Sequence, residues 1–337
     1  MKLARQQTYY PYLDLLKFVC CIGVVAIHTR PHHYMPDWIE NVVSTMLNLL
    51  VPTFFMLSAY LFVGKINFNN DDMGILRRFI IRLSMLYVLW AVIMLWDWLP
   101  GFLVHNSNDW MISLPVRLLC GAAKGSWFVI SLIYGMLIVY FANRWFNKWL
   151  VTIIFLTIDI YCRCVFQGIW PDSLGISIEQ GPFIVSNSFV FALAPLQIGL
   201  IIRHYRIFES VSVKISGCIS LGSRLLLISI IVLFFSLNLQ LSPFIHLFVE
   251  GVIIILCAKY YNTDEQFVDF SLFRKMSIII YFTHFGIATI FRFLYTKEII
   301  GFEFGLIVFL VAIFICSLLA YILVKASIRY PKLKYLY

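Results

Sequence analysis

Apolar residues in this chain come in long runs that follow one another with little polar sequence between them. Each run is long enough for a bilayer core of about 30 Å, which takes about 20 apolar residues per helix. The pattern predicts ten membrane-spanning helices, over residues 11–29, 42–63, 79–97, 126–142, 149–165, 182–202, 225–240, 244–258, 276–295 and 302–324. The first run, "LDLLKFVCCIGVVAIHTRPHH" (13–33), carries Asp14 and Lys17 and has no small-residue cleavage site behind it. It reads as a retained helix and not as a signal peptide. Longer polar segments fall at 64–78, 98–125, 166–181 and 259–275. In the second of them "DWMISLPVRLLCG" is expected to lie flat at the membrane surface.

Composition agrees with the pattern. Hydrophobic residues make up 61% of the chain and charged residues 13%, against about 25% charged in soluble domains. The expected architecture is an all-α polytopic bundle forming a single domain over 1–337, with no appended soluble domain and no internal repeat. Most of the 26 Lys and Arg fall at the termini and in alternate loops, among them Lys2, Arg5, Lys65, Arg77, Arg78, Arg144, Lys148, Arg203, Arg274, Lys275, Lys332 and Lys334. The opposite loops hold only Arg30, Arg117, Lys124 and Lys297. The positive-inside rule then places both termini in the cytoplasm. The net charge of +9 is mostly this topology signal and implies no nucleic-acid partner. The 8 cysteines show no metal-ligand spacing and read as buried free thiols.

The first helix carries charges that a lipid-facing span would not. An ionisable group within a span costs about 2.5–3.5 kcal/mol on insertion scales and normally faces the bundle interior. Lys17 and His28 are three turns apart, so they share a stripe and lie about 16 Å from each other. Asp14 sits one turn below Lys17 as its i,i+3 partner. Taken singly, Lys17 reads better as a snorkelling side chain and His28 as an interfacial one; taken together they mark a polar seam. In "ILRRFIIRL" (75–83), Arg78 and Arg82 lie one turn apart with Arg77 beside them. Arginine suits bidentate phosphate recognition, which points to a phosphate-bearing ligand, although flanking charge explains Arg77 and Arg78 as well.

Several segments together resemble membrane acyltransferase family 3, integral-membrane O-acyltransferases of bacterial surface glycans and lipids. Lys17-x10-His28 is similar to the family's first-helix signature, and "VPTFFMLSAYLF" (51–62) to its FF-x-L-S-G motif. "KGSWFVISLIYGML" (124–137), "FALAPLQIGLIIR" (191–203) and "MSIIIYFTHFGIA" (276–288) resemble its later motifs, in order. Two departures stand out: Ala59 replaces the usual Gly after Ser58, and the family's Arg-x-x-Arg is spaced here as Arg78-x3-Arg82. The resemblance implies an acyl-CoA donor, most simply acetyl-CoA, used from the cytoplasm. It also implies an acceptor hydroxyl on a sugar or lipid-linked glycan outside a bacterial inner membrane. Lys17, Arg77, Arg78 and Arg82 would then hold the donor, and no tightly bound cofactor is expected.

Acyl transfer needs a base, and an imidazole, which titrates near neutral pH, makes His28 the candidate. An acyl-His intermediate stays open. Supporting roles fall to Asp14, Ser58, Trp127, Glu250, Tyr281 and His284, each with a structural alternative: Ser58 as packing glue, Trp127 as a belt anchor, His284 as a helix-to-helix hydrogen bond. Asp159 is expected to pair with Arg163 at i,i+4. No carboxylate or thiolate is spaced to complete a metal site with His28, His32 and His33. The competing class is a multispan transporter or flippase with Lys17, His28, Glu250 and His284 along its path, and a further one is an assembly subunit without chemistry.

Overall fold

The computed structural model describes residues 11–66, 68, 72–105, 114–115, 118–119, 121, 126–166, 189–205, 269–301 and 304–337. Among the described residues the regular structure is helical throughout. The first helix, α1, spans Pro11–Thr29. Proline at its first position gives up a backbone donor that would be unpaired anyway, and Asp14 in the first turn complements the helix dipole. It stops at Arg30, whose φ of 45 leaves the helical region just before Pro31.

The expected second span is broken in two. Helix α2 runs Asp37–Asn48 and α3 Leu50–Val63, jointed at Leu49. The cause is Pro52, which lacks the N–H that would bond Asn48 and crowds that carbonyl. The third span also differs from expectation: α4 runs Met73–Ile93 and α5 Leu95–His105. Arg77 and Arg78 are therefore helical and not part of a preceding loop, as suits a residue with good helix propensity. Next come α6 (Trp127–Trp145) and α7 (Lys148–Phe166). Asn147 sits between them, its side-chain oxygen accepting from the Trp149 N–H at 2.8 Å in the manner of an N-cap. Helix α8 covers Val190–His204, α9 Ser271–Thr296 and α10 Leu306–Arg329. The expected spans 225–240 and 244–258, residues 182–188 of the sixth, most of 109–121, and Glu250 lie outside the described residues.

Among the described residues five stretches are long and apolar enough to cross a membrane: Pro11–Thr29, Asp37–Val63, Trp127–Trp145, Ser271–Thr296 and Leu306–Arg329. The exposed apolar side chains agree. Ile81, Met85, Val88 and Val92 line one face of α4, and Leu306, Leu310, Phe314 and Leu318 are exposed on α10. Apolar outer faces of this kind suit a lipid surrounding, and the protein is a multi-pass membrane protein.

Helix α1 packs between α3 on one side and α9 on the other, with α10 against both α1 and α9. Helix α8 is wedged among α3, α6 and α7. Without a hydrophobic force between helices, close backbone approach does the work in a bilayer. Ala59, Ala192 and Ala194 are fully buried, and a Cβ on Gly199 would lie 2.1 Å from the Met56 carbonyl oxygen. A buried amide network closes the other side of α8: Gln197 donates to Asn143 at 3.0 Å and to Thr152 at 2.9 Å, and Asn143 donates back at 2.6 Å. Because the clash at Gly199 is with backbone, Gly199→Ala is expected to cost about 1–3 kcal/mol. Thermal unfolding in detergent should show it as a lowered Tm.

Candidate functional site

The stripe on α1 exists, and each of its ends meets a different chemistry. Asp14 is buried at 4% exposure and holds two cations, Lys17 at 3.9 Å on its own helix and Arg274 of α9 at 3.4 Å. Lys17 is also within Coulombic range of Arg274, Lys65 and Arg82. Three cations and one carboxylate thus act on Lys17, an excess of positive charge suited to an anionic ligand. Arg82, exposed on α4 like Arg77 and Arg78, is close enough to act on Lys17. Arg274 was read from sequence only as flanking charge. Its ion pair joins residues 260 apart in sequence, and no local spacing signals it.

Three turns along α1, His28 is half-buried against α9. Its ring centroid is 5.3 Å from that of His284 and 4.2 Å from that of Phe285. His284 is 1% exposed, and Phe285 lies 4.4 Å from its ring. Since a carbonyl only accepts, the 3.2 Å contact with Ile280 O places a proton on His284 Nδ1. The Nε2 atom is then a lone pair, buried and without a hydrogen-bond partner among the described residues.

Aromatic contacts tie this end to the other motifs. Tyr281 lies 5.9 Å from His284 and 5.5 Å from Phe128. Phe128 in turn packs on Phe54 at 5.7 Å and Phe55 at 4.5 Å. Segments far apart in sequence, "VPTFF", "SWF" and "YFTH", are thereby joined in a chain of ring contacts that reaches His28 through His284. Phe128 and Phe285 lie within the segments 124–137 and 276–288 that carry the resemblance, but sequence reasoning gives neither a role at the site, because an aromatic in an apolar run carries no distinguishing signal.

The remaining candidates fall elsewhere. Ser58 donates to Phe54 O at 2.8 Å within its own helix, so its hydroxyl is spent locally. Trp127 packs edge-on to Phe128 at 6.4 Å. Asp159 and Arg163 pair at 2.9 Å as expected. His32, between α1 and α2, contacts Ser44 Oγ at 3.2 Å, and burial pushes its imidazole below the usual value. Among the described residues no three His, Cys, Asp or Glu gather as a metal site, and Cys20, Cys21, Cys162, Cys164 and Cys316 are buried free thiols.

Comparison with known proteins bears on this geometry. Over 132 residues the chain is 25% identical to an amino-acid racemase of Enterococcus faecalis, a match taking in 38% of this chain and 18% of that protein. No solved structure matches the chain. The family model described as "Acyltransferase domain" matches residues 10–325, a range that includes both ends of the α1 stripe and the aromatic contacts between them. The chain belongs to acyltransferase family 3.

Proposed function

We propose that the protein is a membrane O-acyltransferase that moves an acyl group, most simply acetyl, from cytoplasmic acyl-CoA to a hydroxyl of an extracytoplasmic glycan or glycolipid. The observation that carries this reading is one helix with an excess of positive charge around Lys17 at one end and a half-buried imidazole at the other. The Lys and Arg distribution favours the Lys17 end as cytoplasmic. There Lys17, Arg274 and Arg82 neutralise the donor phosphates, with Arg77 and Arg78 adding to the local field. The separation of about 16 Å along α1 matches the span a pantetheine arm must cover to bring its thioester to His28.

At that end His28 takes the proton of the acceptor hydroxyl as the oxygen attacks the thioester carbonyl. The C–O ester bond forms, the C–S bond breaks, and the proton passes to the CoA thiolate. The family resemblance supports the reaction class, and the placement of His28 against Phe285 and the buried His284 supports a water-poor site in which a thioester escapes hydrolysis.

The test is purified protein in proteoliposomes with acetyl-CoA labelled in the acetyl group and glycan extracts of the host envelope as acceptors. Covalent label on a glycan, released by mild base as an ester, is the expected result. Movement of an unmodified solute without label transfer would contradict the proposal and favour a carrier.

A further inference from the structure

His284 stands out as a buried group with unused hydrogen-bonding capacity. Its Nδ1–H is committed to Ile280 O at 3.2 Å, which fixes the tautomer and leaves Nε2 as a bare lone pair. That atom is buried without a partner among the described residues on a side chain 1% exposed. A buried polar group left unsatisfied is costly, and such a group in a membrane helix marks function more often than packing. The nearest imidazole is His28, with ring centroids 5.3 Å apart and planes inclined by 33°. At that separation a small rotation about the His28 side chain brings a ring N–H to the lone pair. Phe285 lies against both rings, at 4.2 and 4.4 Å, and keeps water from taking the position.

We infer that His284 is the positioning residue of the base: its Nε2 accepts a hydrogen bond from the one ring N–H of neutral His28. This rests on the reading of His28 as general base. The bond orients the His28 ring so that its other nitrogen faces the acceptor hydroxyl. When that nitrogen takes the proton, His284 stabilises the resulting imidazolium until the proton leaves with the CoA thiolate. The role is the one a carboxylate fills in Ser-His-Asp triads. Here a neutral imidazole fills it, which suits a membrane interior where an ionised acid would need its own counter-charge. Helix packing supplies the rigidity: α9 lies along α1, and Gly286, next to Phe285, lets α9 approach Trp96 so closely that a Cβ would fall 2.9 Å from its ring.

The experiment compares His284→Phe, which fills the space without an acceptor, with His284→Gln, whose side-chain oxygen stands near the Nε2 position. Acetyl transfer is measured for each, alone and with His28→Ala. His284→Phe is expected to lower kcat by about 10- to 100-fold, the worth of a hydrogen bond to a charged group, at unchanged donor KM. His284→Gln is expected to recover most of that loss, and neither is expected to cost anything further once His28 is alanine. Wild-type kcat in His284→Phe overturns the inference, as does equal impairment of Phe and Gln variants that melt like wild type. Full activity of His28→Ala would instead overturn the general-base reading itself. Should the variants not fold, the unsubstituted protein labelled with 15N-histidine gives the second readout. A 15N–15N coupling between the two rings on charging supports the hydrogen bond, and its absence at every pH where the protein is folded overturns it.

Discussion

Replacing His28 by alanine is expected to slow acyl transfer by about 10² to 10⁴-fold, the usual worth of a positioned general base, while leaving the helix bundle intact. The loss should fall on kcat, because the imidazole acts on the proton in flight and does not hold the donor. The ring is only partly buried, and its removal leaves α1 packed through Leu13, Cys21, Val24 and Val25, all buried on the same helix. An exposed neighbour provides the control: His33→Ala should transfer at the wild-type rate. Initial rates of label transfer at saturating acetyl-CoA, with Tm recorded for each variant, check both. A folded His28→Ala protein with wild-type kcat would contradict the assignment.

The second large effect is expected at the other end of the helix. Lys17→Ala should raise the KM for acyl-CoA by about 10- to 100-fold, the worth of a charge-assisted contact to phosphate, with little change in kcat. Arg274→Ala should act in the same direction for two reasons. It removes one cation and also leaves the Asp14 carboxylate, now 3.4 Å from Arg274, acting on Lys17 alone. A donor lacking the 3′-phosphate separates charge recognition from packing: it should bind the wild-type protein more weakly and show a smaller penalty in the variants. Equal KM values for all these combinations would place the donor elsewhere.

What the sequence revealed and what it hid follow from how far apart the interacting residues lie. Eight of the ten expected spans coincide with helices, or pairs of helices, among the described residues, since hydrophobic length is a local property. The Lys17–His28 stripe and the Asp159–Arg163 pair are legible for the same reason, being set by helical period. The break at Leu49 was legible in principle from Pro52 but was overridden by the unbroken apolar pattern around it. Arg274 could not be read, because its partner Asp14 is brought to it only by the packing of α9 on α1. Nor could the contact of Phe128 with Tyr281, which joins two apolar runs where every position looks alike. His284 was visible as an anomaly within its span, but its nearness to His28 depends on tertiary structure.

The central claim is that one helix carries the reaction across the membrane, donor at the Lys17 end and acceptor at the His28 end. Sided proteoliposomes test it most directly, with the protein inserted in one known orientation, labelled acetyl-CoA confined to one compartment and glycan acceptor to the other. The account predicts labelled glycan when the donor is on the Lys17 side and the acceptor on the His28 side, and none with the two exchanged. Equal labelling in the exchanged arrangement, or labelling only when both substrates share a compartment, would contradict it.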